Sequence, residues 1–339
     1  MIFFEFIRRA IIQGIPLLFG SSGEILTEKS GHLNLGIPGI MYVSAMSGFI
    51  GAFFYETGTD NFNGTVAVLI ALGGSILGAL FMGLIYCFLT VTLRANQNVT
   101  GLALTTFGVG FGNFFGGSLI RFAKSEVASV TISKTSLAFS KRLNLENTPA
   151  WFRDTIGTMF LSYSFLAYLA VIIAIIMAFV LRKTRIGLHL RAVGENPATA
   201  DAAGIHVNRY KYIATWLGSV IAGFGGLYYI MDYASGVWSN NGFGDRGWLA
   251  IALVIFAIWR PTFAIAGSFL FGGLYICHFY IHKLDAIFPW IKVTMATQEL
   301  IKMTPYVVTV IILILISMRR KKETQPPAHL GLPYFREER

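Results

Sequence analysis

Runs of about twenty apolar residues recur along this chain, each long enough to cross the hydrocarbon core of a bilayer. The clearest lie at roughly 64–92, 99–120, 159–182, 211–232, 247–259, 262–281 and 304–318. The region 10–56 is apolar too, but "TEKSGHLNLGIPG" interrupts it, so it reads as two more spans joined or broken there. In lipid, backbone polar groups must be satisfied within the protein, which leaves helices and closed barrels as spanning structures. A barrel would show short segments of alternating hydrophobicity, and none stand out. The expected fold is all-α, a polytopic transmembrane helical bundle of about eight to ten spans with a cytoplasmic helix in one loop.

Composition agrees. Of 339 residues, 55% are hydrophobic and 13% charged, about half the charged share of a soluble domain. The net charge of +10 sits largely at the ends of apolar runs. It therefore speaks for orientation in a membrane and not for nucleic acid. Cys87 and Cys277 fall inside apolar runs and read as packing residues, neither a disulfide pair nor a metal site. The N-terminal "MIFFEFIRRAII" lacks a small-residue cleavage site and does not read as a removable signal.

Two regions are expected: a membrane domain over 1–318 and a cytoplasmic basic segment over 319–339. The latter opens with Arg319, Arg320, Lys321 and Lys322 directly after an apolar run, which places it inside. Counting back puts 283–304 outside, Arg260-Pro261 inside, 232–246 outside and 183–210 inside. Arg182, Lys183, Arg185, Arg191, Arg209 and Lys211 in or beside that loop agree. The next loop, 121–158, then lies outside, although Arg121, Lys124, Lys134, Lys141, Arg142 and Arg153 run against the rule. Parity between the basic segment and the 183–210 loop decides for this arrangement.

Glycines four apart recur within spans, at Gly74 and Gly78 and at Gly108, Gly112 and Gly116. Such spacing lets helix backbones approach closely; flexible gating is the lesser reading.

The loop 183–210 carries a compact set of helix signals. Asn196 is a favoured N-cap. Pro197 suits the first helical position, where its missing N–H costs nothing. Ala198 to Ala203 are mostly good helix formers, and Gly204 is the expected left-handed stop. A helix of about two turns is not stable alone in water. It must rest on its own bundle or dock in a groove of a partner.

Here the sequence resembles a known family. "GLHLRAVGENPATADAAGI" is similar to the coupling loop in permease subunits of ABC importers, in the branch that carries simple sugars, nucleosides and, more distantly, branched-chain amino acids. "EILTEKSGHLNLGIPGIM", "GDRGWLAIALVIFAIWRP" and "HLGLPYFREER" resemble three further segments of that branch, the last the tail of nucleoside-type permeases. One departure stands out: Pro38-Gly39 replaces a frequent Glu-Gly, which bears on substrate identity. The resemblance implies a multi-pass permease of the cell membrane, paired with a second permease subunit as a heterodimer, two cytoplasmic ATPases and an extracellular substrate-binding lipoprotein. It implies that Arg191, Glu195, Asn196, Pro197, Ala198, Ala202 and Gly204 form the ATPase-coupling element. No G-x-x-x-x-G-K-[ST] occurs, so this chain does not cradle ATP by that route. It is expected to bind no cofactor, with ATP used by the partner subunit. A nucleoside or related purine is the first expectation for substrate, and a simple sugar the second.

Polar groups facing a protein-lined cavity are needed to meet such a substrate. Asn34, in the helix-breaking "LNLGIPG", Asn98, Thr100 and Asn113 are candidates, since amides and hydroxyls bond sugars and base edges. Phe107 and Phe111 are candidates for stacking on a base. Interhelical hydrogen bonding and plain packing are the competing accounts for all six. His278, His282 and Asp285 have one feature of a metal site, two His on one helical face, but no third ligand or HExxH accompanies them. No metal is expected, and no catalytic cluster stands out. An ion-coupled secondary transporter is the alternative class, although such proteins usually carry ionisable groups at membrane depth and the clear spans show almost none.

Overall fold

The computed structural model describes residues 2–124, 126–142, 149, 151, 157, 159–284, 294–318 and 325–335. The interrupted 10–56 region resolves into α1 (Ile2–Glu28) and α2 (Ile37–Gly58), with Pro38 in the first turn of α2. Asn63 caps α3 (Gly64–Cys87), accepting from the N–H of Thr65 at 2.9 Å, and a π-helical turn extends α3 through Thr92. Asn96 caps α4 (Gln97–Phe122) through the N–H of Val99 at 3.1 Å. After β1 (Ser129–Thr131) and α5 (Ser133–Phe139) comes α6 (Phe165–Lys183). Two loop helices, α7 (Arg185–Glu195) and α8 (Pro197–Ala202), precede α9 (Val207–Tyr228), which ends in a second π turn at Tyr233. Then follow β2 (Val237–Ser239), α10 (Arg246–Phe256), α11 (Pro261–Leu284), α12 (Met295–Lys302) and α13 (Thr304–Met318).

Among the described residues, six helices are long and apolar enough to cross a membrane, and three shorter apolar helices accompany them. This is the all-α polytopic bundle expected. α1 and α2 form its centre: their apolar windows are 83% and 78% buried inside the protein, against 33% for α3 and for α4. α1 packs on α9, α11 and α10, and α2 packs on α3, α4 and α9.

The stretch 247–259, read as a span, is shorter than that reading required. The helix α10 stops at Phe256. Eleven residues rise only about 16 Å, roughly half of the hydrocarbon core. Ile258 and Trp259 then take left-handed backbone with φ of 52° each, which turns the chain into Pro261 and α11. Their apolar side chains prolonged the run in sequence beyond the helix it belongs to.

One two-stranded ribbon pairs β1 with β2 antiparallel, Val130 opposite Trp238. It ties the 121–142 stretch to the 234–245 loop, so those two loops share one face as parity required. Arg153 lies outside the described residues. On the opposite face, His329 and Gly331 bond to the 183–210 loop and to the α1–α2 turn, so the C-terminal segment and that loop also share a side.

The glycine spacings serve close packing. A Cβ at Gly108 would stand 2.5 Å from the Gly39 backbone, and one at Gly112 would stand 3.0 Å from the Tyr42 ring. At Gly74 it would stand 2.7 Å from the Ser47 carbonyl. Gly110, on the same helix as Gly108, would meet nothing within 4 Å. Gly108→Leu should therefore prevent assembly or sharply lower the yield of folded protein, because overpacking against backbone exceeds the usual cost of about 1–3 kcal/mol. Gly110→Leu should be well tolerated. Membrane-fraction yield and melting temperature of the two variants check this, and equal yields would show that α4 does not pack on α2 by this face.

Candidate functional site

The end of the bundle that carries the 183–210 loop is organised around the turn 29–36. Glu24 and Glu28 lie in the last two turns of α1 and are almost wholly buried, at 0% and 2% exposure. Glu24 Oε1 accepts the backbone N–H of Asn34 at 2.7 Å, so the chain has folded back along α1 before α2 begins. Glu28 Oε2 accepts the indole N–H of Trp259. The Leu33 N–H donates to Gln97 Oε1 at 2.8 Å, and the Leu33 carbonyl accepts from Tyr86 Oη at 2.6 Å. Thr105 Oγ1 donates to the Leu35 carbonyl at 2.7 Å. The N–H groups of Lys29, Ser30 and Gly31 bond back to the last carbonyls of α1, and the rest of the turn is satisfied largely by side chains of α1, α3 and α4, as buried backbone requires.

Three ionisable groups lie buried outside the stretches read as clear spans, in α1 and at the start of α10. Both carboxylates stand inside α1, and Arg246, 5% exposed, opens α10. The Arg246 guanidinium lies 4.5, 5.1 and 4.9 Å from the ring centroids of Tyr229, Tyr233 and Tyr275, a cage suited to a delocalised cation. Its Nη1 donates to the Phe243 carbonyl at 2.8 Å, and the Gln13 amide oxygen accepts from its Nε at 3.2 Å.

The six candidates for the substrate path do not share one surface. Asn34 is fully buried, and its Oδ1 closes its own turn by accepting the Gly36 N–H at 2.9 Å. Thr100 is buried at 6%. Asn98 and Asn113 lie along one flank of the open face of α4, with Phe107 and Phe111 on the other, as about 100° per residue dictates. Asn113 makes a reciprocal pair with the 234–245 loop: its Nδ2 donates to Asn241 Oδ1 at 2.8 Å, and its Oδ1 accepts the Asn241 N–H at 3.1 Å. Phe107, Phe111 and Phe115 form a ladder with centroids 6.0 and 4.5 Å apart. Asn241 escaped the sequence reading; the turn-forming "SNNGFGD" context was its local signal, and the structure holds it at a φ of 57°, which asparagine tolerates. Asp285 lies outside the described residues.

The loop helix α8 is built as its residues indicate. Asn196 Oδ1 accepts the Thr199 N–H at 3.0 Å, Pro197 is the first residue, and Gly204 takes a φ of 82°. Ala198 and Ala202 are exposed, as are Arg191 and Glu195 beside them. The helix preceding it, α7, is an addition to the sequence reading; Thr184 caps it by accepting the Gly187 N–H at 3.1 Å.

Residues 6–317 match the family described as branched-chain amino acid transport system / permease component. The chain belongs to this family. It is a multi-pass membrane permease. Among relatives, the nucleoside ABC transporter permease protein NupC of Lactococcus lactis is 32% identical over 311 residues, 91% of each chain. The putative glucose ABC transporter permease protein TsgC13 of Haloferax volcanii is 31% identical, over 76% of this chain and 72% of its own. The guanosine ABC transporter permease protein NupQ of Bacillus subtilis is 26% identical, over 97% and 96%. The chain is accordingly a permease subunit of the ABC class.

His32, in the 29–36 turn, gives this site a pH dependence. Burial, and then the nearby Lys211 and His329, hold its imidazole well below the ordinary histidine range. The unfolded chain binds a proton there near pH 6.5 while the folded chain does not. Stability is therefore full above about pH 6.5 and falls as pH drops through that value. The melting temperature in detergent should decline between about pH 7.5 and 5.5, and His32→Gln should flatten the decline. An unchanged slope in the variant would assign the effect to other groups.

Proposed function

We propose that this permease carries nucleosides or related purines inward, and that its energy comes from a cytoplasmic ATPase pressing on α8. The observation that carries the coupling half is α8 itself: a capped helix whose open side bears only small side chains, Ala198, Thr199, Ala202 and Ala203. Such a surface allows close approach to a groove. Arg191 and Glu195 would add rim contacts, worth little individually because they are solvated. The working assembly would hold a second permease subunit, two ATPases and an external lipoprotein that delivers substrate.

The names of NupC and NupQ support the substrate half. On the permease side, Phe107 and Phe111 would offer faces to a base, while Asn98 and Asn113 would offer amides to ribose or base edges. Asn34 and Thr100 would act from within the wall, by fixing its shape. The name of TsgC13 keeps a simple sugar as the second substrate class. Ion-driven transport fits less well, because Glu24 and Glu28 already accept bonds from Asn34 and Trp259.

Two experiments test these halves separately. Ala202→Trp should abolish co-purification of the ATPase and substrate-stimulated ATP hydrolysis while the bundle folds normally. Retained binding and stimulation would reduce α8 to a connector. For the substrate, uptake of labelled guanosine and labelled glucose should be compared in the intact transporter. Guanosine uptake should dominate, and Phe107→Ala or Asn98→Ala should lower it by roughly fivefold, as loss of about 1 kcal/mol of contact requires. Glucose uptake in excess would replace the nucleoside assignment.

A further inference from the structure

A six-residue helix does not hold its own position in water, and α8 is that short. Part of its support is local, since Val193, Ala200 and Val207 are buried together beneath it. The rest comes from far along the chain. Tyr334 packs its ring against the same cluster and donates its hydroxyl to Asp201 Oδ2 at 2.9 Å. A hydroxyl bonded to a carboxylate is among the stronger side-chain hydrogen bonds.

The residues around Tyr334 are fastened in turn. The His329 N–H donates to the Gly194 carbonyl at 3.0 Å, in the last turn of α7. The Gly331 N–H donates to the Gly31 carbonyl at 3.2 Å, in the turn between α1 and α2. Gln97 Nε2 donates to the Leu332 carbonyl at 3.3 Å, and the Arg94 guanidinium lies 4.8 Å from the Phe335 ring centroid. One strip of chain thus touches the loop that carries α8, the turn that begins α2, and the link between α3 and α4. The loop and the turn also touch each other directly: a Cβ at Gly194 would stand 2.4 Å from the Lys29 carbonyl oxygen.

Resting on the ATPase-docking reading above, we propose that residues 328–335, centred on Tyr334, are a positioning strap for the coupling helix. The strap fixes the pose of α8 against the 29–36 turn. Displacement of α8 then moves the start of α2 and is not spent in bending at Gly204. Without the strap, α8 still presents the same alanines to a partner, but its motion is absorbed locally. Tyr334 acts through Asp201 and the cluster under α8, and touches no substrate.

The test uses the full permease with Tyr334→Phe, Tyr334→Ala and a chain ending at Pro326, each measured two ways. Amide hydrogen exchange in the permease alone reads the hold on α8 directly. Loss of the hydroxyl bond should speed exchange over 199–204 roughly tenfold, and loss of the ring should do more, with the membrane helices unchanged. In the assembled transporter, the same variants should keep the ATPase bound and ATP hydrolysis running while substrate moved per ATP falls in the same order. Unchanged exchange would overturn the strap. Faster exchange with normal transport per ATP would overturn its coupling role. A general drop in folded protein in all variants, Tyr334→Phe included, would make the segment a plain folding element and equally overturn the proposal. Failure of the wild-type permease to bind an ATPase would instead sink the docking reading and the coupling role with it, leaving exchange to decide the hold.

Discussion

A carboxylate buried in α1 accepts the backbone N–H of Asn34, ten residues further on, and this bond fixes where α2 begins. In a medium without water an unpaired amide costs several kcal/mol, so the return of the chain has few alternatives. Because α2 starts alongside α1 and not beyond it, Gly39 is brought against Gly108, and Gly101 against Leu35. The packing of α4 follows from that placement. So does the pocket of side chains, from Tyr86 to Gln97, that satisfies the turn.

The half-span α10 is held by the same logic from both ends. At its start, Arg246 is caged by three tyrosines that begin on α9 and α11. Past its end, Trp259 reaches Glu28 of α1. An arginine and a glutamate therefore bracket a short apolar helix without meeting each other. The first is met by aromatic faces and the second by an indole N–H, which is how buried polar groups are tolerated at low dielectric.

What could be seen in the sequence was what residues settle locally. Asn196, Pro197 and Gly204 mark α8 because capping, proline placement and left-handed glycine are properties of adjacent residues. Long apolar runs marked most of the spans for the same reason. The end of α10 was misplaced because Ile258 and Trp259 are apolar but stand in left-handed backbone, and hydropathy is blind to φ. That Asn98 and Phe107 lie on opposite flanks follows from their spacing, but which flank faces what depends on which side of α4 meets α2. The glycine stripe indicated a contact but not its partner. The reciprocal pair of Asn113 and Asn241 joins residues 128 apart, and the ribbon of Val130 with Trp238 joins segments nearly as remote in sequence. Nothing in either segment alone announces the other.

The strip from Ala328 to Leu332 is bound mostly through its own main chain: the N–H groups of Ala328, His329 and Gly331 and the carbonyl of Leu332 make its contacts. A main-chain bond is indifferent to the side chain above it. Over evolutionary time such a strip is free to change its spelling while its spacing stays frozen. An inserted or deleted residue between Gly194's partner and Tyr334 would put every later contact out of register. A comparison of related chains would therefore find this segment constant in length before it found it constant in letters, with Gly331, held at a φ of 79°, and the ring that covers α8 as its fixed points.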